Sequence, residues 1–292
     1  MSTAAEPAVV CVGLATLDTI FAVPHAPVPG GRAVASELVT AGGGPAATAA
    51  VTLARLGVPV AFVGAVGDDE VGATVRRGLA DEGVDVSELA LVRGARSPRS
   101  SILVDGRTAE RTIVHYAGDV PPLALSPHAR ERCRAAQWVH VDHAGYAAAP
   151  RDARLSVDGG NPIPGLDLSH VALYAPTAAA LRAAFGDPAA AIAAGAETVV
   201  VTDGAAGCSA HLRDGSVVRA AAFDVDAVST LGAGDVFHGA LLAQLVRGES
   251  VADALRLANL VAALSCRALD GRSAIPTAAE LEALAVGAGN GG

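Results

Sequence analysis

The sequence predicts an α/β fold in which a mostly parallel sheet is covered by helices on both faces and carries a small β lid. Three observations lead there. Apolar, β-rich runs recur along the 292 residues with helical segments between them. Half of the residues, 51%, are hydrophobic, which supplies a sizeable core. Two regions break the alternation with short strand-like segments and turn signals. The length suits one large domain, so residues 1–292 read as a single unit.

In chain order, VVCVGLA (9–15) reads as a buried strand, and AATAAVTLARLG (46–57) as a helix closed by Gly57. VAFVGAVG (60–67) is the next strand and DEVGATVRRGLADEG (69–83) a helix with its own glycine stop. Strands follow at 138–142, 155–160, 171–176 and 198–207, with helices at 178–186 and 188–195 between them. Residues 233–247, 250–268 and 277–286 are helical, and GAGNGG (287–292) reads as a disordered tail. The exceptions are about 16–40, with DTIFAV and RAVASELVT, and about 98–117, with the hairpin signal SSILVDGRTAERTIVHY. Together they predict a small antiparallel sheet able to cover a site and exclude water, or else extra edge strands of the main sheet. Between 142 and 155 the chain is short for a parallel crossover, which predicts an irregular connection rather than a full helix.

Charge and composition narrow the chemistry. The formal net charge of -9 argues against nucleic acid or an anionic membrane as partner. No run is apolar enough to span a bilayer and the first residues lack a basic leader, so the reading is cytoplasmic. Cys11, Cys133, Cys208 and Cys266 never form a CxxC and read as core residues; no metal site is expected. The chain has no lysine, so all 21 basic residues are arginine. That excludes a Walker-type phosphate loop, a kinase strand lysine and Schiff-base chemistry as usually built.

The stretch STLGAGDVFHGAL (229–241) places Gly232, Ala233, Gly234 and Asp235 where a helix begins. The first turn of a helix offers unpaired backbone N–H groups and partial positive charge, and glycine lets an anion approach them. A carboxylate at the same place can take a proton from an attacking hydroxyl, the requirement of phosphoryl transfer to an alcohol. The same residues also serve an ordinary helix start. A second cluster, Gly42-Gly43-Gly44-Pro45, precedes the 46–57 helix and lets backbone approach a polyol, or simply makes a tight turn.

TAGGGPAATAAVTLARLGVPVAFVGAVGDDEVG (40–72) resembles the N-terminal signature of the ribokinase/PfkB sugar kinases, and STLGAGDVFHGAL resembles their C-terminal one, in matching order and separation. GGGPAATAA and GAGDVFHGAL look especially like the 6-deoxy-6-sulfofructose kinases, and STLGAGD like ketohexokinase. The resemblance implies a ribokinase-like three-layer sandwich, ATP and Mg²⁺, a sugar substrate and a homodimer paired through the lid. It implies Asp235 as the base and the amides of Gly232, Ala233 and Gly234 as the anion hole. Asp18 would bind sugar hydroxyls over a floor of Gly42 and Gly43. Thr202, Gly204 and Gly207 would form the nucleotide loop, with Asn259 and 271–276 closing the adenine pocket. By position Arg32, His115 and His143 match the set that holds a sulfonate, and Arg in particular presents a planar donor fork to such an anion. His238, Trp138 and His140 read as packing residues.

The sequence departs from the family pattern at Ala47, where asparagine is usual, and at Ser229-Thr230-Leu231, where Asp-Thr-Thr is usual. Thr177 and Ala180 replace the Asn-x-x-Glu that helps organise Mg²⁺, so the metal would be held mostly by the ATP phosphates. The rivals are a nucleoside kinase and a catalytically weak nucleotide- or sugar-binding protein on the same fold. A Rossmann dehydrogenase would need GxGxxG after the first strand, where GLATLD stands.

Overall fold

The computed structural model describes residues 6–289. The chain opens with β1 (Val9–Val12), β2 (Thr16–Val23) and β3 (Glu37–Gly43), then α1 (Pro45–Arg55), β4 (Val60–Gly67) and α2 (Glu70–Asp81). Next come β5 (Leu89–Val92), β6 (Arg99–Asp105), β7 (Arg111–Tyr116), α3 (Pro127–Ala135), β8 (Trp138–Val141) and β9 (Leu155–Asp158). β10 (Val171–Ala175), α4 (Ala178–Ala184), α5 (Pro188–Ala193), β11 (Thr198–Thr202), β12 (Cys208–Leu212) and β13 (Val217–Ala220) follow. Three helices close the chain: α6 (Ala233–Val246), α7 (Val251–Ser265) and α8 (Ala278–Gly289). Residues 287–289 of the expected tail belong to α8, and 290–292 lie outside the described residues.

Nine strands form one sheet in the order β13-β12-β11-β10-β9-β8-β1-β4-β5. It is parallel from β11 to β5, while β12 and β13 extend it as an antiparallel hairpin turned by Asp214 and Gly215. Alternate side chains of β1 go to opposite faces: Val9 and Cys11 join the core under α1, α2, α6 and α7, and Val10 and Val12 the core under α3, α4 and α5. This is the expected three-layer arrangement. Residues 143–154 contain turns and no helix, as the short connection predicts.

Helix α6 is buried on all sides from Val236 to Gln244. A Cβ at Gly239 would overlap the Ala49 carbonyl and Thr52, so only glycine lets α6 lie this close to α1. The two glycine-rich helix starts are thereby brought side by side.

The lid is a separate four-stranded sheet in the order β3-β2-β6-β7. It is mixed rather than antiparallel, because the long chain path from β2 to β6 lets these two pair in parallel. Its register places Ala41, Asp18, Ser100 and His115 in one row across the four strands, all on one face, with Ile20, Ile102 and Ile113 in the next row on that face. β5, α3 and the β12–β13 hairpin go beyond the elements expected from sequence.

Candidate active site

The parallel strands all end at one place. Leu14, His143, Asp158, Ala175 and Thr202, at or just past the C-terminal ends of β1, β8, β9, β10 and β11, line a cleft of about 370 Å³. This is where ligands sit in open α/β sheets. The lid face closes one side with Asp18, Ser100, Arg111, Ile113 and His115; the two helix starts supply the floor.

The turn before α1 is filled. A Cβ at Gly42 would overlap the Arg272 guanidinium, one at Gly43 the Asp18 carboxylate, and one at Gly44 (φ +91°) the Leu14 carbonyl. Pro45 opens the helix without an amide to donate, and the Ala46 amide is taken by Asp142 Oδ2 at 3.2 Å. The buried Asp142 also accepts from the amides of Leu14 (2.8 Å), Ala144 (2.8 Å) and Gly145 (3.0 Å), so one carboxylate ties β1, α1 and the turn carrying His143 together. Arg272, also buried, donates to the Gly43 carbonyl (2.8 Å) and Thr48 Oγ1 (3.1 Å). Burial pulls its guanidinium down to about 10, while Asp18 and Glu82 oppose that shift.

The turn before α6 is open. Gly232 enters it at φ +73°, no side chain caps the helix, and the Ala233 amide has only a long 3.4 Å contact to the Thr230 carbonyl. A Cβ at Gly234 would meet nothing within 4 Å. From the lid, Arg111 Nη1 reaches Thr230 Oγ1 at 3.2 Å, and the Thr230 amide and hydroxyl both bond the Ala109 carbonyl at 3.3 Å. The lid hairpin is thus seated on the segment leading into this helix.

Asp235 stands in the first turn of α6 and lines the cleft. Burial and the neighbouring Asp158 charge push its carboxyl up to about 7, against His238 and Arg111, which favour the charge. A base whose pKa lies near neutrality is matched to taking a proton from an alcohol. Across the cleft, Asp18 accepts from Thr16 Oγ1 at 2.8 Å; burial raises its carboxyl, offset by Thr16, Ser100, Arg272 and His115.

Sequence comparison points the same way. The family model described as "pfkB family carbohydrate kinase" matches residues 6–154 and 167–278. The chain belongs to the pfkB family of carbohydrate kinases. Among its relatives, an ATP-dependent ribose-1-phosphate kinase of Halopiger xanaduensis is 31% identical, over 92% of this chain and 95% of the relative. A ribokinase of Haemophilus influenzae is 28% identical, over 92% and 95%. The solved structure of Arabidopsis thaliana ribokinase complexed with ribose and ATP shares the fold, with a TM-score of 0.81 at 23% identity over 96% of this chain and 98% of that one.

In this pfkB-family chain most of the residues singled out from sequence converge on the cleft: Asp18, Gly42, Gly43, His115, His143, Thr202, Gly232, Gly234 and Asp235 line it, and Ala233 lies between two of them. His143 Nδ1 is buried without a partner among the described residues. Four expected residues lie elsewhere. Arg32 is exposed and does not line the cleft, because it falls in the β2–β3 loop rather than on a lid strand. Asn259 donates to the carbonyls of Ala220 (3.1 Å) and Ala221 (2.9 Å), so it pins the end of β13. Gly204 (φ +52°) and Gly207 (φ +88°) bracket the turn after Thr202, and Gly207 packs on the Ala220 carbonyl. Gly271 packs on Gly232 and Arg272 turns under the Gly43 floor, so this part of 271–276 supports the helix starts.

Sequence reasoning missed Arg111, Asp142, Asp158 and Arg272. Arg111 had a signal: it is in phase with Ile113 and His115, and residues two apart on a strand share a face. His238 and His140 were expected to pack, and both are buried, but His238 also lines the cleft beside Asp158. Trp138 packs as expected, with the Arg154 guanidinium 3.9 Å from its ring centroid.

Proposed function

We propose that this chain is an ATP-dependent kinase that phosphorylates a hydroxyl of a small sugar, with Asp235 as general base. The observation that carries the reading is the open, uncapped start of α6 with Asp235 in its first turn. Gly232, Ala233 and Gly234 present backbone N–H groups to the transferring phosphoryl group, and Asp235 takes the proton of the attacking hydroxyl. Asp18, in its row with Ser100 and His115, orients the sugar over the Gly42–Gly43 floor. Thr202 lies on the nucleotide side, at the end of β11. Among the described residues no group of three or more His, Cys, Asp or Glu side chains is placed to hold a metal. Mg²⁺ would therefore enter on the nucleotide phosphates and offset their charge.

An anionic sugar derivative, a sugar phosphate or a sulfofructose, is the favoured acceptor. Arg111, His115 and the unpartnered His143 face the cleft together, and one relative is named as acting on ribose 1-phosphate. The Arg111 fork takes the role expected of Arg32. The partner is a second copy of the chain, paired lid to lid. Leu38, Phe21 and Leu103 form an apolar row across the outer lid face, and Leu38 is 61% exposed. Among the described residues no helix is long and apolar enough to cross a membrane.

The test is ADP release from ATP and Mg²⁺ over ribose, ribose 1-phosphate, fructose, fructose phosphates, sulfofructose and nucleosides. Turnover of an anionic sugar, at least tenfold better than of its neutral parent, is expected. Turnover of nucleosides alone would replace the sugar by a nucleoside. ATP binding without any turnover would replace the enzyme by a binding protein.

A further inference from the structure

Behind Asp235 lies a buried charge pair that the reaction as described does not use. Asp158 ends β9 and His238 is one turn beyond Asp235 on α6, on the same face of that helix. They are 4% and 5% exposed. His238 Nδ1 lies 3.5 Å from Asp158 Oδ2, at ion-pair distance but without hydrogen-bond geometry. Asp158 is fixed from its other oxygen by the Gly160 amide at 2.7 Å. On the far side His238 meets the ring of His140, with centroids 5.5 Å apart, and His140 Nδ1 is 3.2 Å from Ser156 Oγ.

Asp158 and Asp235 both line the cleft, and the Asp158 charge opposes ionisation of Asp235. A cation near both offsets that repulsion. His238, 3.5 Å from Asp158 and one helical turn from Asp235, is so placed, and the other histidine cannot serve. Burial, with His238 beside it, drives His140 down to about 3, so it stays neutral. For His238 burial also disfavours the charge, but Asp158 and Asp235 outweigh it and raise its pKa. Asp158 is held low by the same contact, despite burial. The other charges that bear on Asp235 are Asp142 at the end of β8, Arg111 of β7 and Arg272 of the C-terminal loop.

Resting on the kinase reading, we propose that Asp158 and His238 are positioning residues for the reaction at Asp235. Asp158 keeps a proton on the His238 ring, and the charged ring favours the ionised Asp235 carboxylate, the form that accepts the proton of the sugar hydroxyl. Asp235 alone would be a base silenced by its own burial. The triad of Asp158, His238 and Asp235 then carries one net negative charge before the sugar binds, and none once Asp235 has taken the proton.

Two measurements test this. The first needs no activity. The imidazole of His238, assigned as the signal absent from His238→Gln, is titrated by NMR in the whole protein. It should protonate at a higher pH than a free histidine, and its midpoint should fall by at least one unit in Asp158→Asn and by a smaller step in Asp235→Asn. A midpoint indifferent to both substitutions overturns the proposal even if the protein proves to be no kinase. The second is the pH profile of kcat on the best sugar. His238→Gln leaves two facing carboxylates, so the acid limb should move up by about one unit. Asp158→Asn combined with His238→Gln removes both charges, so the limb should return towards the parent's. A merely structural role would leave the limb in place in both variants, or move it further in the double variant than in the single one, and either result overturns the proposal.

Discussion

The turn before α1 and the turn before α6 carry the same signature, glycines leading into an apolar helix, and they face the same cleft from adjacent helices. Their surroundings are opposite. Before α1 each glycine is pressed against another group: Arg272, the Asp18 carboxylate and the Leu14 carbonyl. The helix start itself is closed by Pro45 and Asp142. Before α6 the first turn is uncapped and Gly234 borders open space. Glycine serves close packing in one turn and access in the other. What separates a wall from an anion hole is the neighbours that the fold delivers, which a glycine count cannot report.

The sharpest way to break this contrast is at Asp235, the carboxylate that only the open turn carries. Asp235→Asn should lower kcat by about 10²–10⁴-fold, the usual range for a lost general base, with the fold retained. Near-normal turnover in a steady-state ADP assay would remove Asp235 from its role. Next is the pair Gly43→Ala and Gly234→Ala. The first should destabilise the protein by about 1–3 kcal/mol through overpacking against Asp18 and Thr16. The second should leave the unfolding midpoint nearly unchanged while lowering kcat, because only the phosphoryl group would meet the added methyl. Denaturant unfolding of both variants, read beside their kinetics, sharpens or erases the distinction.

Arg111→Ala should change stability by at most about 1 kcal/mol, since the residue is exposed and loses one surface hydrogen bond to Thr230. It should cost about tenfold to a hundredfold in kcat/KM on an anionic sugar, the worth of one hydrogen bond to a charged group. The last prediction concerns the pH dependence of stability. The folded-state pKa of Asp235 is raised to about 7, so folding favours the protonated form. The stability this group contributes is fully present below the unfolded-state value, about 3.9, and is lost as pH rises through about 7. Asp235→Asn should therefore raise the unfolding temperature more at pH 8 than at pH 5. An equal change at both pH values would contradict the shift.

Much of the fold was legible because parallel strands buried on both faces leave continuous apolar runs, and 60–67 matches β4 at both ends. Helix α3 was missed although Ser126-Pro127 is an N-terminal signature, with Ser126 Oγ accepting from the Ala129 amide. Its helical stretch, PHARERCRA, is too polar to announce itself by periodicity. At the site, Asp235 and both glycine clusters were legible because their chemistry is local. Asp158 was not: it ends an ordinary strand, and its meaning comes from His238, which the chain brings to it only through the fold. Arg32 and Arg111 show the same limit. Both belong to the lid segments, but only Arg111 lies on a lid strand, in phase with Ile113 and His115, while Arg32 falls in the β2–β3 loop.

The most direct test of the contrast is a structure of the protein with ADP, aluminium fluoride and the preferred sugar. The account predicts the fluoroaluminate on the amides of Gly232, Ala233 and Gly234, with a sugar hydroxyl in hydrogen-bond reach of Asp235 and the sugar over Gly42 and Gly43. Fluoroaluminate seated instead on the turn before α1, away from Asp235, would contradict it.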